Sequence, residues 1–448
     1  MVASTIGGAS KAQTKVWHVS GNGKDSNSGI SAKNAFRSLQ KAAELTMPGD
    51  TVIIDNGIYN DANFTNGSSV VNIYLSGKPG AYITWKAKAG SHPLINPSKW
   101  GGITVTASYI ELKGLTVLGM NDSITLLDGI TDSKNKVPDP RYNTNGIIIE
   151  GRKNRADSKP HHVTVSKCIV GKCPGGGIVG LEADYLTIED CDVYENAWYM
   201  RYAGSGITTL NNWAFDEKPG YHIIIQRNRV WNNKTLVPWE RTGKLSDGNG
   251  ILLDVTDQEQ GSTNPNGDAV LNTSADSLNK QTVLPKNKRP EWKGRALIAY
   301  NLSAFNGGSG IHTFRTSHVD IINNTTYWNG QIVGYQELFP NQCEDIVILN
   351  NIIIPRPGGK VTSNYKNRLI KWDYNMYANS QQVLVGEHDI VADALLIRPK
   401  IAVTEGNFRP GAKSLAIGSG TTILRFERDL EGRYLSRDKS ISRGAYNN

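Results

Sequence analysis

Four residues near the middle of this 448-residue chain could carry out acid–base chemistry. Asp247 lies in the segment SDGNG, Asp254 is in the run ILLDV, and His312 and Arg315 lie three residues apart in IHTFR. A carboxylate or an imidazole can remove or supply a proton, and a guanidinium can bind a carboxylate through two hydrogen bonds. Together these residue types predict proton transfer on an anionic substrate.

A recurring block predicts the elements that position these residues. Each copy has an apolar run, then a polar or small marker residue, then a second marker five positions later. Adjacent first markers lie 23 residues apart twice, from Cys168 to Cys191 and from Asn301 to Asn324. A short, fixed period with one or two strands per unit predicts stacked coils. The five copies are VTVSKCIVGKC at 163–173, LTIEDCDVYEN at 186–196, IIIQRNRVWNN at 223–233, LIAYNLSAFNG at 297–307 and VDIINNTTYWN at 319–329.

A second repeated feature is a Gly-Ile pair that opens another apolar strand in each coil. Asn markers at matching corners of successive coils can form a ladder of side-chain amides, and Asn and Gly tolerate the positive φ that sharp corners need. A propeller would need about 40–45 residues per repeat, so we predict an all-β, right-handed parallel β-helix. The pairs begin at Gly146, Gly177, Gly206, Gly250 and Gly310.

Aligning the Gly-Ile strands predicts which side chains lie together. The alignment stacks ILLDV at 251–255 near IHTFR at 311–315, followed by IVGYQ at 332–336. Neighbouring strands lie about 4.8 Å apart, so we expect Asp254, Phe314 and Tyr335 in one column. His312, Arg315 and Asp247 would lie on the same flank.

Long insertions predict a groove on that flank. They occur at 197–204, 212–220, 234–247 and about 256–294. Insertions on one side of a solenoid commonly form its binding face, where aromatic rings contact sugars and Arg pairs with carboxylates. Alternatively, these aromatic residues anchor the loops. The predicted substrate contacts are Trp198, Tyr199, Arg201, Tyr202, Trp239, Arg241 and Tyr335.

Composition narrows the class of partner. The net charge of +8 favours an anionic partner, but no Lys/Arg-rich run indicates nucleic acid. The sequence contains no run of 18 apolar residues, which a membrane-spanning helix would need. It also shows no heptad pattern of the kind that would form a trimer, so we expect a monomer. The segment MVASTIGGASKAQTK has no apolar stretch of a signal peptide, which leaves a mature secreted form permitted.

The two ends of the chain carry a family resemblance. VWHVSGNGKDSNSG, AFRSLQKAAELTMPGDTVIIDNGIY and DLEGRYLSRDKSISRGAY resemble the opening and closing segments of secreted bacterial parallel β-helix proteins that degrade acidic polysaccharides. AYNLSAFNGGSGIHTFR is similar in layout to a segment of the family-nine pectate lyases that ends in their catalytic Lys, where this chain has Arg315. The resemblance implies a polysaccharide lyase, secreted or periplasmic, with Ca²⁺ held by Asp side chains. The candidate Ca²⁺ ligands are Asp247, Asp254 and Asp257.

Three functions remain open at this stage. In a lyase acting by β-elimination, Arg315 or His312 is the base, and in the second case Arg315 grips the uronate carboxylate. In a glycoside hydrolase, Asp247 with Asp254, or Asp254 with Glu337, would be the catalytic pair. In a noncatalytic carbohydrate-binding or tailspike-like protein, these side chains would point apart. We expect one domain over 1–448, with a flexible N-terminus at 1–15, a capping helix at 36–46, a loop insertion at 256–294 and a C-terminal cap at 405–448.

Overall fold

The computed structural model describes residues 14–60, 68–256, 289–435 and 440–447. Within them, three parallel sheets form the walls of a β-helix, and each full coil passes through sheets 1, 2 and 3 in turn. Most of the predicted flexible N-terminus, and residues 257–288 of the predicted loop insertion, lie outside the described residues.

Sheets 1 and 2 each contain eleven strands. Sheet 1 consists of Val16–Val19, Thr51–Ile54, Ile83–Ala87, Ile110–Lys113, His161–Ser166, Asp184–Glu189, Tyr221–Gln226, Arg295–Ala299, Ser317–Ile322, Glu344–Leu349 and Arg368–Asp373. Sheet 2 consists of Ile58–Asn60, Leu94–Asn96, Thr116–Leu118, Ile169–Gly171, Asp192–Tyr194, Arg229–Trp231, Leu302–Ala304, Thr325–Tyr327, Ile352–Ile354, Met376–Tyr377 and Ile390–Val391.

Sheet 3 contains eight strands, and a separate antiparallel pair joins Leu396–Arg398 to Asn407–Pro410. The strands of sheet 3 are Ser69–Ile73, Gly101–Val105, Asn145–Glu150, Ile178–Leu181, Ile207–Leu210, Ile251–Asp254, Ile311–Phe314 and Leu338–Asn341. The α-helices are Leu39–Ala43 and Leu126–Ser133, and the 3-10 helices are Ala32–Asn34, Asn121–Ser123, Pro140–Tyr142, Ala156–Ser158 and Val403–Glu405. No helix in the described part of the chain is long and apolar enough to cross a membrane.

Stacked apolar side chains fill the interior of the coils. In sheet 3, Ile207 pairs with Ile251, which pairs with Ile311, and all three side chains are fully buried. Alternate residues of the same strands therefore face outward, because successive side chains of a strand point to opposite faces. The Gly of each Gly-Ile pair is required by close packing, since a Cβ at Gly177 would lie 2.5 Å from the carbonyl oxygen of Gly206.

The predicted Asn ladder is confirmed, and there are two of them. In each ladder the amide oxygen of one Asn accepts bonds from the backbone N–H and the side-chain amide of the Asn one coil earlier, at 2.8 to 3.0 Å. These bonds satisfy the buried polar groups of the corners. The ladder between sheets 1 and 2 consists of Asn228, Asn301, Asn324, Asn351 and Asn375, and the ladder between sheets 2 and 3 consists of Asn196, Asn233, Asn306 and Asn329.

The two ends of the coil stack are covered differently. The predicted N-terminal helix spans only Leu39–Ala43, and its Leu39, Ala42 and Ala43 side chains are buried against the first coils. The predicted C-terminal cap does not only cover the end of the stack. Residues 420–435 and 440–447, here called the C-terminal strap, run back along the outside of sheets 1 and 2, where Leu430 and Tyr446 join an apolar cluster.

Candidate active site

The outer face of sheet 3 is the floor of the candidate site. Residues 197–206 and 232–250 precede its strands and form what we call the leading wall. Residues 211–220 and 289–294 follow its strands and form the trailing wall. All four predicted insertions therefore border one sheet, two at the start of its strands and two at their ends.

The register of sheet 3 corrects the predicted column of Asp254, Phe314 and Tyr335. Asp254 does pair with Phe314, but Phe314 pairs with Asn341, because the next strand begins at Leu338. Tyr335 lies in the loop before that strand. The predicted position of Tyr335 was wrong because IVGYQ has the composition of a strand. Its Gly334 instead has a positive φ of 75° and belongs to a turn.

His312 faces outward from sheet 3 but is only 6% exposed, because aromatic rings surround it. The ring of Phe339 stacks on it with centroids 4.5 Å apart, and the rings of Tyr335 and Phe314 lie at 5.7 Å and 6.3 Å. Neither ring nitrogen has a hydrogen-bond partner among the described residues. Burial therefore lowers the pKa of His312 to about 3, because the imidazolium form loses its hydration. This environment makes His312 a weak base, so we favour another residue for that predicted role.

Asp247 lies beside this aromatic cluster, at the end of the leading wall. Its Oδ1 accepts a hydrogen bond of 3.1 Å from the Asn249 side chain, and its Oδ2 makes no hydrogen bond within the described residues. Burial raises the pKa of Asp247 to about 7, since the single bond from Asn249 offsets little of the lost hydration. Asp247 is also in the left-handed backbone region, with φ of 60°, which Asp tolerates better than most residues.

Tyr335 joins Asp247 to the aromatic cluster. Its hydroxyl lies 3.5 Å from the Ser246 hydroxyl, and its ring contacts His312 and Phe339. Burial raises the pKa of Tyr335, and the nearby charge of Asp247 raises it further. Asp247 and Tyr335 are thus adjacent proton-transfer groups whose neutral forms are favoured, an arrangement that is common in active sites.

The remaining predicted catalytic residues lie at the opposite edge of the floor. Asp254 ends its strand on the outer face and is half-buried. Arg315 follows Phe314 at the corner towards sheet 1, with φ of 51°, and is 5% exposed. The strand Ile251–Asp254 therefore separates the Asp247 edge of the floor from the Asp254 edge.

Three predicted substrate contacts are anchors of the leading wall. The Arg201 guanidinium pairs with Glu240 at 2.7 Å and donates to the carbonyls of Asp132 and Asn135. Tyr199 is 7% exposed, and the Trp198 indole N–H donates to a backbone carbonyl of the next coil. The structure contradicts a substrate role for Arg201 and Tyr199, because their functional groups are buried in the wall.

The other predicted contacts lie nearer to solvent. Arg241 is exposed and lies over the half-buried ring of Trp239, with 5.5 Å from the guanidinium carbon to the ring centroid. Tyr202 is also half-buried, with the guanidinium of Arg201 at 5.9 Å from its ring. These residues remain predicted substrate contacts.

Glu337 is excluded from the predicted carboxylate pair with Asp254. It is 2% exposed and ends the second Asn ladder, where its two oxygens accept bonds from the backbone N–H and side-chain amide of Asn329 at 2.6 and 2.7 Å. Burial raises the pKa of Glu337 to about 8. Its position in the ladder, inside the coil, places its carboxyl group away from the groove.

The described residues do not support the predicted Ca²⁺ site. Among them, no three His, Cys, Asp or Glu side chains come together in a way that could hold a metal ion. Asp257, the third predicted ligand, lies outside the described residues. Ca²⁺ in proteins takes six to eight oxygen ligands, which Asp247 and Asp254 at opposite edges of the floor do not provide.

The sequence analysis missed two charged groups that hold the trailing side of the groove. Lys159 is buried and donates to Glu182 at 2.6 Å and to the carbonyl of Gly151 at 2.7 Å. One coil further on, a buried carboxylate, Asp184, binds His222 at 2.9 Å. Their only sequence signal is a charged residue beside an apolar strand, which is also typical of exposed positions.

Comparisons with known proteins agree with the fold. Residues 17–342 match a family model described as Pel9A-like, right handed beta helix region. No curated protein sequence matches the chain.

Solved structures show the same fold. The crystal structure of pectate lyase Pel9A superposes with a TM-score of 0.52 at 14% identity, covering 97% of each chain. A rhamnogalacturonan lyase superposes with a TM-score of 0.50 at 15% identity, covering 89% of this chain and 96% of its own. Together with the family model, these similarities confirm the predicted right-handed parallel β-helix.

Proposed function

Because this chain belongs to the family of Pel9A-like right-handed β-helix proteins, we propose that it is a polysaccharide lyase that cleaves an acidic, uronate-containing polymer by β-elimination. The observation that carries the proposal is the pairing of Asp247 with Tyr335 beside the desolvated floor of the groove. The names of the structural relatives, a pectate lyase and a rhamnogalacturonan lyase, are consistent with this class of reaction.

In the proposed reaction, the free oxygen of Asp247 removes the proton from C5 of the uronate. The electron pair of that C–H bond forms the C4–C5 double bond, and the bond between C4 and the glycosidic oxygen breaks. Tyr335 donates its phenolic proton to the departing oxygen, and proton exchange with solvent then restores both groups. A carboxylate whose pKa is about 7 is a stronger base than an ordinary Asp, so the activity should rise as the pH rises through about 7.

The surrounding residues would support this proton transfer. Removing the C5 proton becomes easier when a positive charge stabilises the enolate-like charge on the uronate carboxylate. Arg315, at the far edge of the floor, would bind the carboxylate of a neighbouring uronate of the same polymer and hold the chain in the groove. His312 would keep the floor dry in its neutral form, which preserves the raised pKa of Asp247.

The predicted Ca²⁺ enters no step of this mechanism, because the described residues do not form a site for it. The partner we propose is an anionic polysaccharide, attracted by the net charge of +8 and by exposed Arg241 and Lys244 on the rim of the leading wall. An enzyme with such a substrate would act outside the cytoplasm, and we expect it to be a monomer.

The test is an assay of acidic polysaccharides for the ultraviolet absorbance of the new conjugated double bond, with and without chelator. The wild-type protein should generate the signal, and Asp247→Asn should lower the rate by roughly 1,000-fold and Tyr335→Phe by roughly 100-fold. Tyr327→Phe, on the outer side of sheet 2, is the matched control and should leave the rate unchanged.

Other outcomes would replace the proposal. New reducing ends without the absorbance would indicate hydrolysis, for which Asp247 and Asp254 on opposite edges of the floor are the remaining carboxylate pair. Binding without any bond cleavage would indicate a carbohydrate-binding protein. Full activity in Asp247→Asn would remove Asp247 from the mechanism.

A further inference from the structure

A single buried carboxylate joins three segments of the trailing side of the groove. Asp184, at the start of a sheet 1 strand, is fully buried. It accepts hydrogen bonds from the backbone N–H of Phe215 at 2.8 Å, from His222 Nδ1 at 2.9 Å and from the Trp292 indole at 3.0 Å. Phe215 and Trp292 belong to the two loops that form the trailing wall, so Asp184 holds both loops at once.

The His222 imidazole has an acceptor at each nitrogen. Nδ1 faces the Asp184 carboxylate, and Nε2 lies 2.9 Å from the carbonyl oxygen of Lys218, inside the first loop of the wall. A carbonyl oxygen cannot donate, and the carboxylate is acceptor-only when ionised, so both nitrogens must carry a proton. The His222 of this arrangement is therefore an imidazolium cation, 2% exposed.

The groups that face His222 reinforce this charge state. Asp216 lies 3.9 Å from Nε2, and the hydroxyl of Tyr185, whose ring stacks on His222 at 3.9 Å, donates to Asp216. The nearby cation is the Lys218 amine, which is paired with Asp216 at 3.1 Å. His162 stacks on the other side of Tyr185, and burial lowers the pKa of His162, which favours its neutral form. Burial alone would lower the pKa of His222, but the bond and charge of Asp184 outweigh it and raise the pKa above its ordinary value.

The imidazole also fits closely against the second loop. A Cβ on Gly294 would lie 2.5 Å from His222 Cγ, so the backbone of residue 294 rests directly on the ring. The loop has further ties nearby, since Lys293 pairs with Glu217 of the first loop at 3.2 Å on the surface. The ring therefore contacts both loops, one through Lys218 and the other through Gly294.

We propose that Asp184 and His222 are positioning residues that order the trailing wall, and that this wall loosens when His222 loses its proton. Deprotonation removes one N–H donor, so either the Lys218 carbonyl loses its bond to the ring or the buried Asp184 carboxylate keeps only two of its three donors. The two loops are then released together, because the same pair holds both. The leading wall contains no part of this pair and keeps its order.

The test compares amide hydrogen exchange in the two walls, which needs no substrate and is independent of the proposed reaction. After correction for intrinsic rates, exchange of residues 211–220 relative to residues 197–206 should be roughly tenfold faster at ~pH 9 than at ~pH 6. An equal ratio at both pH values in the wild-type protein would overturn the proposal.

Variants separate this pair from a general effect of alkaline pH. Asp184→Asn and Gly294→Ala should loosen residues 211–220 already at ~pH 6 and abolish the pH dependence. His318→Gln, at a half-exposed imidazole that also pairs with an Asp, is the control and should retain the wild-type response. If lyase activity is found, Asp184→Asn should raise KM roughly tenfold and leave kcat within about twofold. A fall in kcat alone would contradict a positioning role.

Discussion

Two imidazoles are buried in this molecule under opposite conditions. His222 belongs to the trailing wall, where Asp184 and the Lys218 carbonyl bind both of its nitrogens, and its pKa is raised. His312 belongs to the floor, where aromatic rings surround it. No residue in the described part of the chain bonds either of its nitrogens, and its pKa is lowered to about 3. The two side chains differ by only a few percent in exposure.

The comparison shows that burial alone does not determine what a polar group contributes. The wall and the Asn ladders bury polar groups with their partners, which stabilises the fold and fixes the loops. The floor buries His312 without partners and Asp247 with one, which costs stability. Stability is given up in this way where a protein needs groups with shifted pKa values.

The Asn ladders contain buried side-chain amides that are hydrogen-bonded to their neighbours. Disrupting a ladder should therefore lower the free energy of unfolding more than any other change considered below. Asn324→Ala removes the oxygen that accepts from Asn301, so the buried backbone N–H of Asn301 loses its acceptor. It also removes the side-chain amide that donates to Asn351, whose oxygen keeps only the bond from the backbone N–H of residue 324. We expect the free energy of unfolding to fall by about 4 kcal/mol. Urea denaturation measures it, with exposed Asn22→Ala as the control that should change little.

Replacing His222 should cause the second-largest loss of stability. His222→Leu removes two buried hydrogen bonds and leaves the Asp184 carboxylate with one donor fewer, so we expect a loss of about 3 kcal/mol at ~pH 6. Because the pKa of His222 is raised, its contribution is present below its ordinary pKa and is lost as the pH rises. The loss caused by the variant should therefore shrink at alkaline pH, and a constant loss would show that the charge does not matter.

His312 should behave in the opposite way. His312→Leu replaces an unpaired imidazole with an apolar side chain and should stabilise the protein by about 2 kcal/mol at ~pH 5 and about 1 kcal/mol at ~pH 8. The gain is larger in acid because the pKa of His312 is about 3 when folded, so below its ordinary pKa only the unfolded chain takes up a proton. Thermal unfolding at the two pH values measures the difference, and a destabilised variant would mean that the imidazole has a partner.

Glu337 tests whether a carboxyl group at the end of an Asn ladder is satisfied by its partners, like His222 in the trailing wall, or is destabilising, like His312 in the floor. Its pKa is raised to about 8, so the folded protein holds a proton there that the unfolded chain releases above its ordinary pKa, and stability falls as the pH rises between these values. A Gln side chain replaces one of the two accepting oxygens by a donor, so Glu337→Gln should cost about 1 kcal/mol at ~pH 5, and this cost should disappear at ~pH 8. Exposed Glu344→Gln is the control, and equal effects at both pH values would contradict the shifted pKa.

The sequence was sufficient to predict the coils and the position of the long insertions along sheet 3, because both follow from local repeats. Markers 23 residues apart occupy matching corners, as when the backbone N–H of Cys168 contacts the Cys191 sulfur at 3.4 Å. The Gly-Ile pairs open the strands of sheet 3, and the position of Asp254 opposite Phe314 follows from that register. Periodicity of this kind survives in a single sequence because each coil repeats the same contacts.

The details of the site depend on contacts between distant segments, which the repeat does not encode. Tyr335 was predicted to lie in a strand of sheet 3, but it lies in the irregular loop before the strand Leu338–Asn341. Arg201 was expected in the groove, but its partners Asp132 and Glu240 come from two separate loops. The Asp184 pair was missed because Trp292, its third contact, is 108 residues away in the sequence.

The C-terminal strap sets the order in which the molecule can be completed. Neighbouring coils can pair as soon as each is synthesised, since they are close in sequence. The strap instead bonds Asn323 to the carbonyl of Ser442 across 119 residues, and Ala445 to Thr325 across 120 residues. Such distant contacts form slowly, and none of them can form before residues 442–445 leave the ribosome. The apolar cluster that includes Trp231 and Leu302 therefore lacks its Leu430 and Tyr446 contacts until the strap has been synthesised and docks.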